Sequence, residues 1–418
     1  MSNTTLTADI IAAEALEILD NNCVMGKLVH RGYEDEFGKK VNGYTIGETL
    51  SIRRPADFTV RDGAVAAVQD VVEGKTVFTV DKQKGVDFKF TSQDLTLQID
   101  KLSERVIKPA MVQLANQIDR DVMGLYKYIN NHVTIPSGGI DSFADFALAP
   151  TRMDTCAVPQ DMRSAVLSPS DTWKMLGSQT ALYIQDAAKG AYREASLGKI
   201  GGIDTYMSQN VPSHTTGSRT GTDAIAASFT GDTWAATKDT NYSTINIGSM
   251  SGSTVTLKAG DTLTIADVYD VNPVTKEALP HLKMFTVVNN ETASGSAVAS
   301  CEVSPAIIPS GAQATVAFAA GVTDINTKTV TYQGAASTAY TQNLFFHKNA
   351  LGLVMVPMVA PPGAVDVARK SYNGYSVRVI PYYDGTNDVS NWRLDVLYGV
   401  KCIDPRLAVR ASLAADVA

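Results

Sequence analysis

The residues able to do chemistry are few and scattered. Gly74-Lys75-Thr76 matches the end of a phosphate-binding loop, but Gln69 stands where the motif needs its earlier glycine. The flanks also read as hairpin, whereas that loop joins a strand to a helix. Gly198-Lys199-Ile200 lacks the hydroxyl residue that would meet a magnesium ion. The histidines His30, His132, His214, His281 and His347 form no HxH, HxxxH or HExxH pair. They suit satisfied structural positions, His347 in an apolar strand above all. Gly248-Ser249-Met250-Ser251-Gly252 puts methionine where a nucleophile elbow needs serine. Asp384, Asn387 and Asp388 sketch a calcium loop without its later glutamate and read as a turn. Asp119 and Asp121 have no spacing that marks them as an acid–base couple. Cys23, Cys156, Cys301 and Cys402 include no CxxC pair, which points to buried thiols. Two sequons, at Asn241 and Asn290, carry little weight without a signal-peptide pattern. No catalytic cluster, cofactor or metal is expected.

The chain has 418 residues, of which 44% are hydrophobic and 19% charged. That is material for two or three packed domains and excludes disorder as the main state. The formal net charge of −7 argues against a basic nucleic-acid glove. The longest apolar run, Ala350 to Ala360, contains Pro357. It is too short for a membrane span and reads as a buried strand. A soluble protein of a reducing cytoplasm is expected.

The elements that must position any site follow from periodicity. Leu6, Ile10, Ile11, Ala13, Leu16, Ile18 and Leu19 predict an amphipathic helix over 6–20, with Thr7 or Asp9 as its cap. From Gly43 to Phe90 the pattern turns to strands, which predicts a long hairpin with its tip in Arg61 to Lys75. Such a hairpin cannot bury both faces by itself. Residues 94–131 carry apolar side chains at steps of three and four and predict one long helix of roughly 50 Å or more. Pro109 should kink or break it. Helices are expected over Phe143–Met153 and Ser168–Ala188, the second capped by Ser170 or Asp171, and strands over Ala165–Leu167 and Thr205–Ser208.

From about Gly217 to Tyr340 serine and threonine supply about a quarter of the residues, and short alternating runs appear at Val255/Leu257, Leu263/Ile265, Val316/Phe318 and Val330/Tyr332. This predicts an antiparallel β domain, barrel or sandwich, set into a host domain that resumes near 342. The tail is β again, with a strand from Ser376 and a longer one through Trp392, Leu394, Val396, Tyr398 and Val400. The expected limits are 1–40 for a terminal arm, 41–92 for the hairpin, 93–138 for the spine helix, 139–213 for a mixed segment, 214–341 for the insert, and 342–418 for the return.

Gly47-Glu48-Thr49-Leu50-Ser51-Ile52-Arg53-Arg54-Pro55 resembles the start of the extended loop of tailed-bacteriophage major capsid proteins. Gly198 to Pro212 is similar to the segment that closes the first half of their axial domain. Gly374 to Val379, Tyr383-Asp384, Arg393 to Val400 and Pro405 resemble their closing strands. Leu257 to Asp261 and Thr275 to Leu279 resemble the inserted immunoglobulin-like domain of short-tailed-phage coat proteins. The resemblance implies an α+β fold with an N-terminal arm, an extended loop, a peripheral domain with a spine helix, and an axial domain carrying the insert. It implies a non-catalytic protein whose hexamers and pentamers close an icosahedral shell around double-stranded DNA. Its partners would be copies of itself, a scaffolding protein, a portal and a decoration protein, with weak, non-specific DNA contact and no membrane. Carried over residue by residue, Arg53, Arg54 and Asp57 would meet a neighbouring subunit from the extended loop. Asp267, Asp270, Lys276 and Glu277 would do so from the insert. An encapsulin-like cargo shell, an immunoglobulin-like surface protein and a hydrolase built on scattered carboxylates are the rival readings.

Overall fold

A computed structural model describes residues 8–33, 40–41, 44–45, 49–54, 56–61, 63–66, 68–91, 103–136, 138–180, 197–219, 223–361 and 366–413. The chain divides into two compact units. The first comprises residues 1–51, 77–122 and 351–401; the second comprises 52–76, 123–350 and 402–418.

In the first unit, helix α1 (Ala8–Asn22) buries Ile11, Ala12, Ala15, Leu16 and Leu19, one stripe at helical spacing. That stripe packs on strands Ala368–Tyr372 and Tyr375–Asp384. These belong to a sheet ordered Leu351–Met355, Val389–Cys402, Tyr375–Asp384, Ala368–Tyr372. Strand Lys82–Thr91 also pairs with Val389–Cys402, antiparallel, from Thr91 opposite Val389 to Lys82 opposite Tyr398. The alternation of Val86, Phe88 and Phe90 therefore serves this sheet, not the hairpin expected over 43–90. The hairpin's returning strand is Gly74–Thr79, which pairs with Thr49–Arg54. The one-turn helix α2 (Met25–Leu28) is held by Asp119, whose carboxylate accepts from the backbone N–H of Val24 (2.9 Å) and Met25 (3.1 Å).

Of the helix expected over 94–131, the described residues are helical from Ser103 to Tyr128. Helix α3 runs over Lys108–Met123, about 24 Å. Pro109 lies where a π-helical turn, Ser103–Ile107, gives way to the α-helix, a local irregularity that accommodates its missing N–H. Leu95, Ile99 and Leu102 lie outside the described residues.

The second unit holds a six-stranded sheet ordered His132–Ile135, Ala408–Leu413, Asn343–His347, Arg163–Leu167, Ile203–Met207, Lys199–Ile200. Helix α4 (Phe143–Thr155) packs against it, with Phe146 edge-on to Phe345 at 5.2 Å between centroids. Helix α5 (Pro169–Thr180) starts at Ser168, whose hydroxyl accepts from the Asp171 N–H at 3.1 Å and donates to its carboxylate at 2.8 Å. The cap is thus Ser168 rather than Ser170 or Asp171, because Pro169 takes the first helical position. The expected continuation to Ala188 lies outside the described residues beyond Thr180.

The strands over 223–332 are antiparallel and close on themselves. Thr262–Val271 pairs with both Ala278–Val287 and Thr329–Tyr332, and the ring runs on through Val298–Ser304, Ser243–Gly248 and Asp223–Ile225. Of the two expected architectures, the barrel is the one that forms. Leu263, Ile265, Phe285, Val303 and Val330 fill it. The chain enters and leaves through a two-stranded stem, Ser213–Thr215 opposite Ala339–Thr341. Among the described residues no helix is long and apolar enough to cross a membrane.

Candidate functional site

Between the two ribbon strands, the described residues 56–61, 63–66 and 68–73 have no regular secondary structure. Gln69 ties the segment across its width, its amide carbonyl accepting from the Thr59 N–H at 2.9 Å and its NH2 donating to the Thr59 carbonyl at 2.6 Å. Gly63, at φ +84°, makes the turn. The apolar side chains here stay in solvent: Val60 is 96% exposed, Val68 93% and Val65 85%.

The foot of the segment is charged and tightly partnered. Arg54 Nε donates to Thr76 Oγ1 across the ribbon at 2.7 Å. The Asp57 carboxylate receives Lys276 Nζ at 3.0 Å and lies 3.7 Å from Arg406 Nη1. Arg406 also grips Asp404 with two nitrogens, Nη2 to Oδ2 at 2.9 Å and Nε to Oδ1 at 3.1 Å. Burial would push the Asp404 carboxyl up, but Arg406 and Arg54 hold it below the usual carboxylate range. On the returning side Trp234 Nε1, in the short helix α6 (Trp234–Thr237), donates to the Val72 carbonyl at 2.8 Å. The Lys75 N–H donates to Asp239 Oδ1 at 3.1 Å. A Cβ on Gly74 would sit 2.4 Å from the Lys238 carbonyl oxygen, so the backbones approach as only glycine allows. Close approach thus accounts for the glycine of the phosphate-loop-like tripeptide.

Two buried carboxylates anchor the barrel behind this foot. Asp270, 1% exposed, receives Lys283 Nζ at 2.7 Å, Arg152 Nη2 at 3.2 Å and His281 Nε2 at 3.3 Å. Burial raises its carboxyl, but Lys283, His281 and Arg152 outweigh burial and hold it well below the carboxylate range. Asp261 takes His214 Nε2 at 2.9 Å, Arg219 Nη1 at 3.2 Å and the backbone N–H groups of Gly217 and Lys258. Arg410 Nη2 donates to the Gly260 carbonyl at 2.6 Å. His132 bridges Thr262 Oγ1 (2.8 Å) and Ser412 Oγ (2.5 Å). Burial, together with Arg410, keeps this imidazole neutral far below its usual range. These acids are saturated anions, so the arrangement is a set of fixed counter-charges. Among the described residues no three His, Cys, Asp or Glu side chains group as a metal would require.

The expected contact residues divide accordingly. Arg53 is exposed and pairs with Glu73 at 3.2 Å, and Glu277 is exposed. Asp57 and Lys276 pair in the foot, where Arg54 bonds Thr76. Asp267 pairs with Lys328 at 2.5 Å. Asp270 is internal, a correction to its expected contact with a neighbouring subunit, because Lys283, Arg152 and His281 of its own chain surround it. Sequence reasoning missed Trp234, Arg406, Arg152 and Lys283. Pro405 was singled out, and Arg406 follows it, but no periodic pattern links partners 219 residues apart such as Asp57 and Lys276.

The family model described as "P22 coat protein - gene protein 5" matches residues 1–410. The chain belongs to the P22 coat protein family. It is therefore a tailed-phage major capsid protein and a component of the virion. A "Major capsid protein" of Acyrthosiphon pisum secondary endosymbiont phage 1 is 23% identical over 388 residues, covering 88% of this chain and 89% of the relative. Similar solved structures include one from Mycobacterium phage Che8, at 14% identity and TM-score 0.49, covering 93% of this chain and 90% of that one. Another is the mature capsid of bacteriophage PhiM1, at 14% identity and TM-score 0.44, covering 88% and 82%.

Proposed function

We propose that this coat-family chain self-assembles into hexamers and pentamers that close an icosahedral shell around double-stranded DNA, a structural role without catalysis. The observation that carries the reading is the exposure of Val60, Val65 and Val68 between the two ribbon strands. Burying apolar surface contributes about 25 cal/mol per Å², so leaving these side chains in water makes sense only where a neighbour covers them. Scaffolding, portal and decoration proteins are the family's partners and are proposed as partners here, with assembly in the host cytoplasm. The net charge of −7 fits loose contact with packaged phosphate. Arg53 and Glu277 are the expected contact charges still open to a neighbour.

The test is assembly of the purified full chain with and without a scaffolding protein, followed by sedimentation and negative-stain microscopy. Uniform shells that protect DNA from nuclease support the proposal; a monomer under every condition overturns it. Val60→Asp with Val68→Asp should leave monomer stability within about 0.5 kcal/mol, as for other exposed sites, and should abolish shells.

A further inference from the structure

Both ends of segment 56–73 are tied to residues 234–315 of the same unit. On the outgoing side the Asp57 carboxylate meets Lys276 Nζ at 3.0 Å, and Gln313 Nε2 donates to the Asp57 carbonyl at 3.4 Å. On the returning side Trp234 Nε1 holds the Val72 carbonyl at 2.8 Å, and Asp239 holds the Lys75 N–H at 3.1 Å. The loop that presents Lys276 is itself braced. Asn272 Oδ1 accepts from the Val274 N–H at 2.9 Å, the Lys276 N–H donates to the Asn272 carbonyl at 2.9 Å, and Lys276 sits at φ +59°. A lysine in the left-handed region is uncommon and persists where its surroundings demand it. Here that conformation accompanies an ammonium placed on Asp57.

We propose that the barrel-side residues Lys276, Gln313, Trp234 and Asp239 form a two-point clamp that sets the direction of the extended segment before any neighbour arrives. The inference rests on the shell-forming reading for its purpose but not for its existence. Ordering backbone residues costs conformational entropy, and a surface ordered in advance loses less of it on docking. The clamp orders the foot on both sides and leaves the apolar side chains between the ties open. The partner it prepares for is a second copy of this chain.

The test uses the unassembled full-length protein and two variants that act on opposite ties. Lys276→Met keeps the aliphatic stem and removes the charge; Trp234→Phe keeps a ring and removes the donor. Hydrogen–deuterium exchange reads the Lys75 amide directly, together with amides 56–60, while barrel strand Thr262–Val271 reports integrity. The clamp predicts exchange about three- to tenfold faster at the foot in each variant, the scale of one lost hydrogen bond, with the barrel strand unchanged. Shell formation with a scaffolding protein should slow by a similar factor, and Lys276→Arg should restore both. Unchanged exchange at the foot would overturn the clamp. Faster exchange with an unchanged assembly rate would overturn its role in assembly. Failure of the unaltered chain to form shells would remove the shell-forming reading instead, and the exchange arm would still decide the clamp.

Discussion

Replacing Asp270 by asparagine should destabilise the barrel-bearing unit by about 3–5 kcal/mol at pH 7. Asparagine keeps the volume and one acceptor but removes the negative charge. Lys283 and Arg152, only 10% and 11% exposed at their side chains, would then face each other without a counter-ion. An exposed pair would cost under about 1 kcal/mol, so burial decides the magnitude. The pH dependence carries a sign. The Asp270 carboxyl is held well below its usual range by Lys283, His281 and Arg152, against burial. Its contribution is therefore present above the unfolded value of about 3.9 and is lost as pH falls below it. Urea unfolding of both proteins, read by exchange of the barrel amides, should show the full gap at pH 7 and a narrowing gap at pH 3. A change under 1 kcal/mol at pH 7, or a gap independent of pH, would falsify the counter-charge account.

Gly260→Ala should cost about 1–3 kcal/mol, because Gly260 sits at φ +100° and a Cβ there would lie 3.2 Å from Lys127 Cγ and 3.3 Å from His214 Cε1; a lowered urea midpoint checks it. His132 should keep the neutral-imidazole NMR shifts down to well below pH 6.5, since burial and Arg410 depress it. The stability it contributes is present above pH 6.5 and falls as the unfolded chain protonates below that value; an imidazole titrating normally near 6.5 would contradict the buried bridge. Asp119→Ala should cost about 1–2 kcal/mol by leaving the Val24 and Met25 N–H groups unpaired, seen as a lower unfolding midpoint. Burial pushes the Asp119 carboxyl up to about 6 against those N–H groups. Its favourable share is thus full below about pH 4 and gone above about pH 6, which the same variant measured at pH 4 and 7 would reveal.

Local elements were legible where one face is buried. Helix α1, though Ile10 and Ala13 fall on its exposed side, the alternation of Trp392 through Val400 and the apolar run Asn343–His347 all appear as structure, because side-chain period tracks burial. Period does not report the partner. Val86, Phe88 and Phe90 read as hairpin, yet they pair with a strand some 300 residues later in the chain. The barrel's existence was legible in its short alternating runs; its closure through Thr262–Val271 was not, since one strand pairs on two sides. The foot of the extended segment was half legible: Arg54, Asp57 and Lys276 were named, but from a family likeness and for contacts with other subunits. Their partners inside the chain come from long-range topology, which no local spacing encodes.

The buried cysteines have a practical consequence. None of Cys23, Cys156, Cys301 and Cys402 is more than 9% exposed. Burial also suppresses the thiolate, pushing Cys301 up to about 12, and the thiolate is the form that reacts. The native chain is therefore nearly silent toward maleimides. A single cysteine placed at Val65 would couple fast in the free subunit and slowly once covered, giving a chemical clock for the moment at which one copy closes over the next.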